Sequence, residues 1–179
     1  MGFERQKRVL SKKGHIIDLY TDYIKTPNGN IAQWDFVKHK GAAAVVPVKE
    51  DGKIIMVRQW RNALDRYTLE IPAGGLNGPQ EPFETCAARE LEEETGFKSN
   101  DIHSLISIRT TVAFCNERID IFVAFRLQKS QQHLDPDEFV EVEEYTIEEL
   151  LDKIRNGEIQ DSKTVSALYA YYTEYVLKK

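Results

Sequence analysis

The arrangement of apolar and polar residues makes the first forty positions of the chain strand-rich. Two strand-like runs, Asp18–Ile24 and Ile31–Lys38, flank the tetrapeptide Thr26-Pro27-Asn28-Gly29. Asn-Gly between two such runs is a strong signal for a β-hairpin, because both residues tolerate the positive φ angles of a tight turn. We therefore predict an antiparallel hairpin near the start of the chain.

A second hairpin is predicted around Glu50-Asp51-Gly52, which separates Ala43–Val48 from Ile54–Gln59. The first of these runs is almost continuously apolar, which is typical of a strand that is buried on both faces. This pattern places a central strand of the core early in the chain.

A helix is predicted from about Pro82 to Thr95, after a glycine-rich loop over Ala73–Gln80. Proline suits the first helical position, and Gly96 stands just past the end, where glycine is preferred. The other predicted elements are two strands and two closing helices, at Ile106–Thr111, Ile119–Leu127, Ile147–Asn156 and Ser162–Leu177. A helix inside the strand series, followed by helices, favours an α/β sandwich with a mixed sheet over a doubly wound parallel fold.

Composition narrows the function classes. A formal net charge of -5 argues against a nucleic-acid partner, whose binding surface is usually basic. An anionic substrate would therefore need locally placed cations and metal ions. No run of about 18 apolar residues predicts a membrane span, and Met1–Lys13 lacks the apolar stretch of a signal peptide. Cys86 and Cys115 form neither a metal cluster nor a disulfide framework, so a reducing cytoplasm is the expected location.

Acidic residues crowd the end of the predicted helix. Side chains three and four positions apart share a helix face, so Glu90, Glu93 and Glu94 form one carboxylate cluster, whereas Glu92 points away. The repulsion within this cluster is relieved if a hard divalent ion, which prefers oxygen ligands, lies between the carboxylates. Arg89 stands four residues before Glu93 and can hold its carboxylate in place. A lone run of glutamates is more often a solvated acidic face, but the spacing of the surrounding residues favours a metal site.

The segment from Gly75 to Phe97 resembles the Nudix box, whose pattern is G-x5-E-x7-R-E-U-x-E-E-x-G-U, with U a bulky aliphatic or aromatic residue. Every fixed position is matched, by Gly75, Glu81, Arg89, Glu90, Leu91, Glu93, Glu94, Gly96 and Phe97. The resemblance implies a Nudix-type α/β/α sandwich with an N-terminal β-hairpin extension. Residues 1–179 would form a single hydrolase domain, with a strand-rich segment 1–40 and a catalytic core 41–179 that contains the box at 75–97.

The resemblance also implies Mg²⁺ or Mn²⁺ as cofactor. In the family, the residues that match Glu90 and Glu94 bind divalent ions, and the one that matches Glu93 joins them or helps to activate water. The arginine that matches Arg89 orients the Glu93 equivalent. The number of metal ions stays open.

A backbone carbonyl just before the box is a further metal ligand in related enzymes. Glu70-Ile71-Pro72-Ala73-Gly74 resembles the E-[IF]-P-A-G run of the ADP-ribose pyrophosphatase branch, but counting back from the box leaves one extra residue in the loop. The carbonyl therefore belongs to Ala73 or Gly74, and Ala73 is favoured because the strand leading into the loop fixes its position.

Two segments resemble the substrate-binding parts of the same branch. Trp34-Asp35-Phe36-Val37 is similar to a segment that places an aromatic ring against the nucleobase, so Trp34 and Asp35 are candidates for substrate binding. The alternative for Trp34 is a sheet surface or a dimer contact. Val57-Arg58-Gln59-Trp60-Arg61 is similar to a run whose last arginine contacts the diphosphate, a role for which a bidentate guanidinium is well suited.

Two loops complete the resemblance. Glu117 is a candidate for binding the sugar, although Val112-Ala113-Phe114-Cys115 replaces the S-P-G that usually comes before it. Asp135–Val142 resembles the mobile catalytic loop that delivers a further glutamate, and Glu138 is its best match, as general base or extra metal ligand.

The implied function is hydrolysis of ADP-ribose or a related nucleoside diphosphate sugar to a nucleoside monophosphate and a sugar phosphate. One alternative is a GDP-mannose-type hydrolase. Another is a nucleotide-sensing domain that binds without cleaving, but such domains commonly lose the box carboxylates that are all present here. Relatives in this branch are commonly homodimers with exchanged N-terminal strands, which would bring Trp34 of one chain toward the other chain's box.

Overall fold

The computed structural model describes residues 2–136 and 138–178. Its strands are β1 Glu4–Lys13, β2 Asp18–Lys25, β3 Ile31–Lys38, β4 Ala42–Pro47, β5 Ile54–Arg61, β6 Arg66–Glu70, β7 Ala73–Gly75, β8 Phe97–Lys98, β9 Asp101–Arg109, β10 Arg118–Phe125, β11 Gln128–Lys129 and β12 Val140–Tyr145. Its helices are α1 Phe83–Thr95, α2 Ile147–Arg155 and α3 Ser162–Tyr171, and α3 continues as a π-helical turn, Tyr172–Val176.

The chain divides into two compact units. The N-terminal unit consists of the described residues up to Gly41 together with Arg109–Arg118, and the central unit consists of Ala42–Ile108 and the described residues from Ile119 onward. The assignment of the whole chain to one hydrolase domain stays a prediction. Within the described residues, no helix combines the length and apolar character needed to cross a bilayer.

The N-terminal unit contains an antiparallel sheet with strand order β1-β2-β3. The predicted hairpin between β2 and β3 is confirmed, and Gly29 in its turn has a φ of 90°. The structure adds β1 as a third strand. It is fixed to β2 by Arg8, which donates two hydrogen bonds of 2.6 Å to the Asp22 carboxylate. The Arg8 guanidinium also lowers the pKa of Asp22.

A mixed sheet with strand order β7-β4-β10-β9 lies at the centre of the second unit, where β4 is parallel to β10 and antiparallel to β7. Side chains of β4 alternate between two helical layers. Ala43 and Val45 pack with α1, whereas Ala44 and Val46 belong to the core cluster that contains α2 and α3. The sandwich with a mixed sheet is therefore confirmed, as is burial of this strand on both faces.

The second predicted hairpin forms only at its turn. Lys49 N–H donates to the Lys53 carbonyl at 2.9 Å, Gly52 has a φ of 84°, and one bridge joins Val48 to Ile54. Beyond this bridge the two arms enter different sheets, because β4 lies between β7 and β10 while β5 lies between β12 and β6. Each arm has both edges paired already, so neither has an edge left for the other.

The box helix α1 begins at Phe83, with Pro82 as its N-cap residue, and ends at Thr95, with Gly96 as a C-cap residue that has a left-handed φ of 70°. The predicted bounds are correct to one residue. The predicted loop Ala73–Gln80 is wrong at its start, because Ala73–Gly75 pairs with β4 as the short strand β7. This strand brings the loop backbone against α1.

Candidate active site

Arg89 organises the acidic face of α1. Its Nη1 donates to Glu90 Oε1 and to Glu93 Oε2, both at 2.7 Å, and its Nε donates to Glu81 Oε1 at 3.2 Å. Its Nη2 donates to the Gly75 carbonyl at 3.0 Å. The guanidinium therefore orients both Glu90 and Glu93 and fixes the box helix to the loop before it. The sequence indicated only the contact with Glu93.

Glu90 and Glu94 are buried, with exposed fractions of 8% and 1%. Burial raises the pKa of Glu90 to about 7, against the lowering effect of Arg89. Burial raises the pKa of Glu94 to about 8. The Ala73 N–H, which donates to Glu94 Oε2 at 2.9 Å, opposes this shift, and the charge of Glu90 adds to it. The helix therefore holds two carboxylates whose charged forms are poorly stabilised by the protein alone.

Gly74 allows the Glu90 carboxylate to lie directly against the loop backbone. A Cβ atom at Gly74 would stand 2.0 Å from Glu90 Oε1, far inside van der Waals contact. Cys86 Sγ lies 3.6 Å from the carbonyl oxygens of both Gly74 and Gly75, which share its single S–H hydrogen. The close packing of a glutamate on this glycine could not be inferred from the spacing of the box.

Glu138 acts electrostatically on the same carboxylates. Its charge raises the pKa of both Glu90 and Glu94, so the structure brings this predicted residue toward the box helix. Its N–H donates to the Asp135 carbonyl at 2.9 Å in a tight turn. Asp137, which belongs to the same predicted loop, lies outside the described residues.

The donor set fits a divalent cation. The charge of Glu90 raises the pKa of Glu94, and a cation bound between two such carboxylates would stabilise their charged forms. Mg²⁺ characteristically combines one or two carboxylates with water and substrate phosphates. Within residues 2–136 and 138–178, no group of three or more His, Cys, Asp or Glu side chains is placed to hold a metal ion by itself. An ion at Glu90 and Glu94 would therefore need further ligands, such as a backbone carbonyl, water or substrate phosphates.

Arg61 belongs to a second charged network beside this helix. Its Nε and Nη2 donate to the Glu70 carboxylate at 2.7 and 2.5 Å, so this edge of the guanidinium, which we expected to face a diphosphate, is used by Glu70. Lys163 also donates to Glu70. Glu70 is only 2% exposed, and despite the opposing effect of burial, the two cations lower its pKa to about 2. No functional role was predicted for Glu70 or Lys163, because their pairing depends on the tertiary fold.

The remaining predicted substrate residues lie in the N-terminal unit. Trp34 on β3 is about half exposed, and its ring centroid lies 5.7 Å from that of Phe3. Asp35 is exposed on the same strand. Glu117 accepts a hydrogen bond of 2.6 Å from Thr110 Oγ1 and lies 3.3 Å from His39 Nδ1, so its carboxylate is held within its own unit.

The mixed sandwich and the carboxylate-bearing helix define a class of protein, and residues 38–168 match the NUDIX domain family. The chain therefore belongs to the Nudix family, which confirms the resemblance seen in its sequence.

Within this family the chain has close relatives. It is 43% identical over 157 residues to ADP-ribose pyrophosphatase from Bacillus subtilis (strain 168), covering 87% of this chain and 84% of that protein. It is 40% identical over 167 residues to methanol dehydrogenase activator from Bacillus methanolicus, covering 92% and 90%. The crystal structure of an ADP compounds hydrolase covers 97% of this chain and 94% of its own, with a TM-score of 0.85 and 20% identity, which confirms the fold.

Proposed function

We propose that this protein is a divalent-metal-dependent hydrolase that cleaves the pyrophosphate bond of ADP-ribose or a related nucleoside diphosphate sugar. The products are a nucleoside monophosphate and a sugar phosphate. The observation that carries the proposal is the pair of buried carboxylates, Glu90 and Glu94, on a complete Nudix box helix. The 43% identity to an ADP-ribose pyrophosphatase over most of both chains supports this choice of substrate.

Glu90 and Glu94 would hold Mg²⁺ or Mn²⁺ together with a loop carbonyl. When bound, the metal ion neutralises phosphate charge, polarises the P–O bond and lowers the pKa of the attacking water. The Ala73 carbonyl is the preferred loop ligand, since the Gly74 and Gly75 carbonyls share the Cys86 thiol hydrogen and the Gly75 carbonyl also accepts from Arg89. Arg89 fixes Glu90 in position through its 2.7 Å hydrogen bond.

Glu93 and Glu138 are the two candidates for taking the proton of the attacking water. Glu93 is oriented by Arg89, and its side chain is 37% exposed, so it can reach a substrate at the helix surface. Glu138 acts electrostatically on Glu90 and Glu94 from the loop before β12. Comparison of kcat for Glu93→Gln and Glu138→Gln with saturating metal decides between them, since the general base shows the larger loss.

The experiment that tests the proposal is incubation of the purified protein with ADP-ribose and either Mg²⁺ or Mn²⁺, followed by product identification. We expect release of AMP and ribose 5-phosphate, and loss of turnover together with weaker metal binding in Glu94→Gln. Absence of hydrolysis across a panel of nucleoside diphosphate derivatives with both metals would overturn the proposal. A side-by-side kcat/KM for GDP-mannose tests the alternative substrate. Tight ADP-ribose binding with the ligand intact afterwards would instead indicate a nucleotide sensor.

A second candidate function follows from the 40% identity to a methanol dehydrogenase activator. In this case the protein would raise the activity of a methanol dehydrogenase. The test is to assay methanol dehydrogenase with and without the protein, and with Glu94→Gln. An increase in dehydrogenase activity that disappears in Glu94→Gln would mean that both functions use the same site. No increase would contradict the activator function and would not affect the hydrolase proposal.

We also propose a homodimer in the cytoplasm, with Trp34 and Asp35 contributing to substrate binding and Glu117 to the sugar. The sheet of the N-terminal unit leaves large apolar side chains exposed, at Val9, Leu10, Leu19, Ile31 and Trp34, as is common where a second surface packs. Both cysteines are free thiols, as is usual in a reducing compartment. A monomeric sedimentation profile would contradict the dimer, and an unchanged KM in Trp34→Ala would contradict the stacking role.

A further inference from the structure

Glu70 is a buried carboxylate that bridges two cations from different parts of the chain. Arg61, on β5, donates to both of its oxygens, and Thr68 Oγ1 donates to Oε1 at 2.6 Å. Lys163, on α3, donates its ammonium to Oε2, although it lies 93 residues further along the chain. One carboxylate therefore joins strand β5 to the last helix.

The bridge is anchored at the backbone of both partners. Asp161, the N-cap residue of α3, accepts hydrogen bonds from Thr164 N–H at 3.0 Å and from Lys163 Nζ at 2.9 Å. Thr164 Oγ1 accepts from Ile71 N–H at 3.1 Å, directly after Glu70. The start of α3 is thus fixed to the strand that leads into the box loop, and Lys163 has little freedom to leave Glu70.

The bridge is connected to the candidate metal ligand Glu94 by a short stretch of backbone. Ala73, three residues after Glu70, donates its N–H to Glu94 Oε2 at 2.9 Å. Arg61 and Lys163, both bonded to Glu70, therefore stand close to the carboxylate cluster, in the region where an anionic substrate would meet the metal site.

We propose that Glu70 is a positioning residue, which holds Arg61 and Lys163 in fixed orientations so that their remaining donors face the substrate diphosphate. This inference rests on the proposed function. A guanidinium offers five donors and an ammonium three. Glu70 uses two donors of Arg61 and one of Lys163, and Asp161 uses a second donor of Lys163, which leaves three on Arg61 and one on Lys163. A side chain that is already oriented loses less conformational freedom when substrate binds, so the benefit is expected in substrate binding.

The first test compares Glu70→Gln with Glu143→Gln. Glu143 accepts the same kind of two-point contact from Arg58, three residues before Arg61 on β5, and so reports the effect of breaking an Arg–Glu pair in this sheet. We expect Glu70→Gln to raise the KM for ADP-ribose by about tenfold, with kcat within about threefold of wild type. Glu143→Gln should leave both constants unchanged.

The second test does not depend on turnover. Binding of α,β-methylene ADP-ribose, whose P–C–P bridge resists hydrolysis, is measured by calorimetry with Mg²⁺ present. Glu70→Gln should weaken this binding by about tenfold, but in an Arg61→Met background by only about two- to threefold, because Lys163 is then the one cation left for Glu70 to position. Such non-additivity is not expected of a residue that acts only on folding stability.

Three results would overturn the inference. The first is an equal change in KM in Glu70→Gln and Glu143→Gln. The second is that the effects of Glu70→Gln and Arg61→Met on analogue binding multiply fully in the double variant. The third is that Glu70→Gln changes kcat and leaves KM unchanged. Where Glu70→Gln does not fold, Thr68→Val removes a single hydrogen bond to Glu70 and keeps all three charges. It should raise KM about two- to threefold, and an unchanged KM would contradict the proposal. A wild-type protein that binds the methylene analogue without cleaving ADP-ribose would contradict the proposed function instead.

Discussion

At the scale of single residues, the contact between Gly74 and Glu90 makes a sharp prediction. Gly74→Ala places a methyl group 2.0 Å from Glu90 Oε1, so the carboxylate must move away from the loop. Displacement of a catalytic group by about 1 Å lowers rates by about a hundredfold. We expect kcat/KM with ADP-ribose and Mg²⁺ to fall by roughly this factor while the protein stays folded, as measured by steady-state kinetics and thermal unfolding.

The matched control is Gly78→Ala, four residues further along the chain, where a methyl group meets no heavy atom within 4 Å. This variant should retain wild-type kinetics. Equal losses in the two variants would mean that the loop tolerates no side chain for reasons unrelated to Glu90.

Glu70 makes a prediction about acid stability. Arg61 and Lys163 hold its folded-state pKa near 2, whereas the ordinary value is 4.5. Because the pKa is lowered on folding, this stabilisation is present above the ordinary value and is lost as pH falls from about 4.5 to about 2. A shift of this size corresponds to about 3 kcal/mol. Urea unfolding at pH 5 and pH 3 should show a smaller drop in Glu70→Gln than in wild type, and parallel drops would contradict the assigned cause.

The individual box residues were largely predictable, because helical spacing decides which side chains share a face. Glu90, Glu93 and Glu94 lie on the face that Arg89 organises. Glu92 points away from this face, and its carboxylate accepts a hydrogen bond from Ser130. The spacing could not predict which group outside the helix each carboxylate contacts. The packing of Glu90 on a glycine depends on the path of the loop.

At the scale of elements, the chain after β11 is attached to the end of the box helix. Ser130 N–H donates to the Gly96 carbonyl at 2.7 Å, and His133 N–H donates to the Glu93 carbonyl at 2.9 Å. The Gln132 side chain donates to the Glu94 carbonyl at 2.6 Å. These bonds occupy carbonyls that a helix end leaves without partners, and they anchor the segment that leads to Glu138.

Gly96 therefore has two reasons to be glycine. Its φ is 70°, and a Cβ atom there would lie 3.2 Å from the Gln132 backbone nitrogen. We expect Gly96→Ala to lower the free energy of unfolding by about 2–3 kcal/mol, from a strained left-handed residue plus a displaced loop. Gly52→Ala isolates the first cause, since Gly52 also has a positive φ but no heavy atom within 4 Å of the added Cβ.

Denaturant unfolding of the two variants measures the difference, and kinetics give a second readout. Gly96→Ala should be the less stable variant by about 1 kcal/mol. It should also lower kcat, because Glu138 follows the displaced segment. Identical unfolding free energies would mean that the loop adapts without loss.

Most helices and strands were predicted from periodicity, but the way in which they pair and pack was not. The run Ala43–Val48 was identified as a doubly buried strand because its composition requires burial on both faces. Its separation from β5 could not be predicted, since the partners that take each edge, β10 and β12, lie far along the chain. Local patterns determine an element, and distant elements determine its neighbours.

At the scale of the whole molecule, contacts between residues far apart in the chain are again the ones that the sequence did not predict. The box is one contiguous segment, so its chemistry was readable from the sequence. The bridge from Glu70 to Lys163 joins positions 93 residues apart, and neither residue has a local signal for the other. Arg61 was identified by resemblance, but its orientation toward Glu70 is a property of the folded chain.

Metal binding and folding should be linked across the whole molecule. Folding raises the pKa values of Glu90 and Glu94 to about 7 and about 8. The folded state is therefore most stable when both carboxyl groups are protonated, and it loses stability as pH rises through this range. Without metal, the protein should be less stable at pH 8 than at pH 6. A divalent ion that binds only the folded state at a hundred times its Kd adds about 2.7 kcal/mol. This corresponds to a rise in Tm of about 5–10 °C.

The measurement is thermal unfolding at pH 6 and pH 8, with EDTA or with excess Mg²⁺ or Mn²⁺. The metal-induced rise in Tm should be larger at pH 8, because at pH 6 the ion must displace protons from the same carboxylates. Glu94→Gln should be more stable than wild type in EDTA at pH 8 and should lose the metal-induced rise, whereas Glu143→Gln should keep it. A rise in Tm that persists in Glu94→Gln would place the metal elsewhere on the protein and remove the physical basis of the proposed active site.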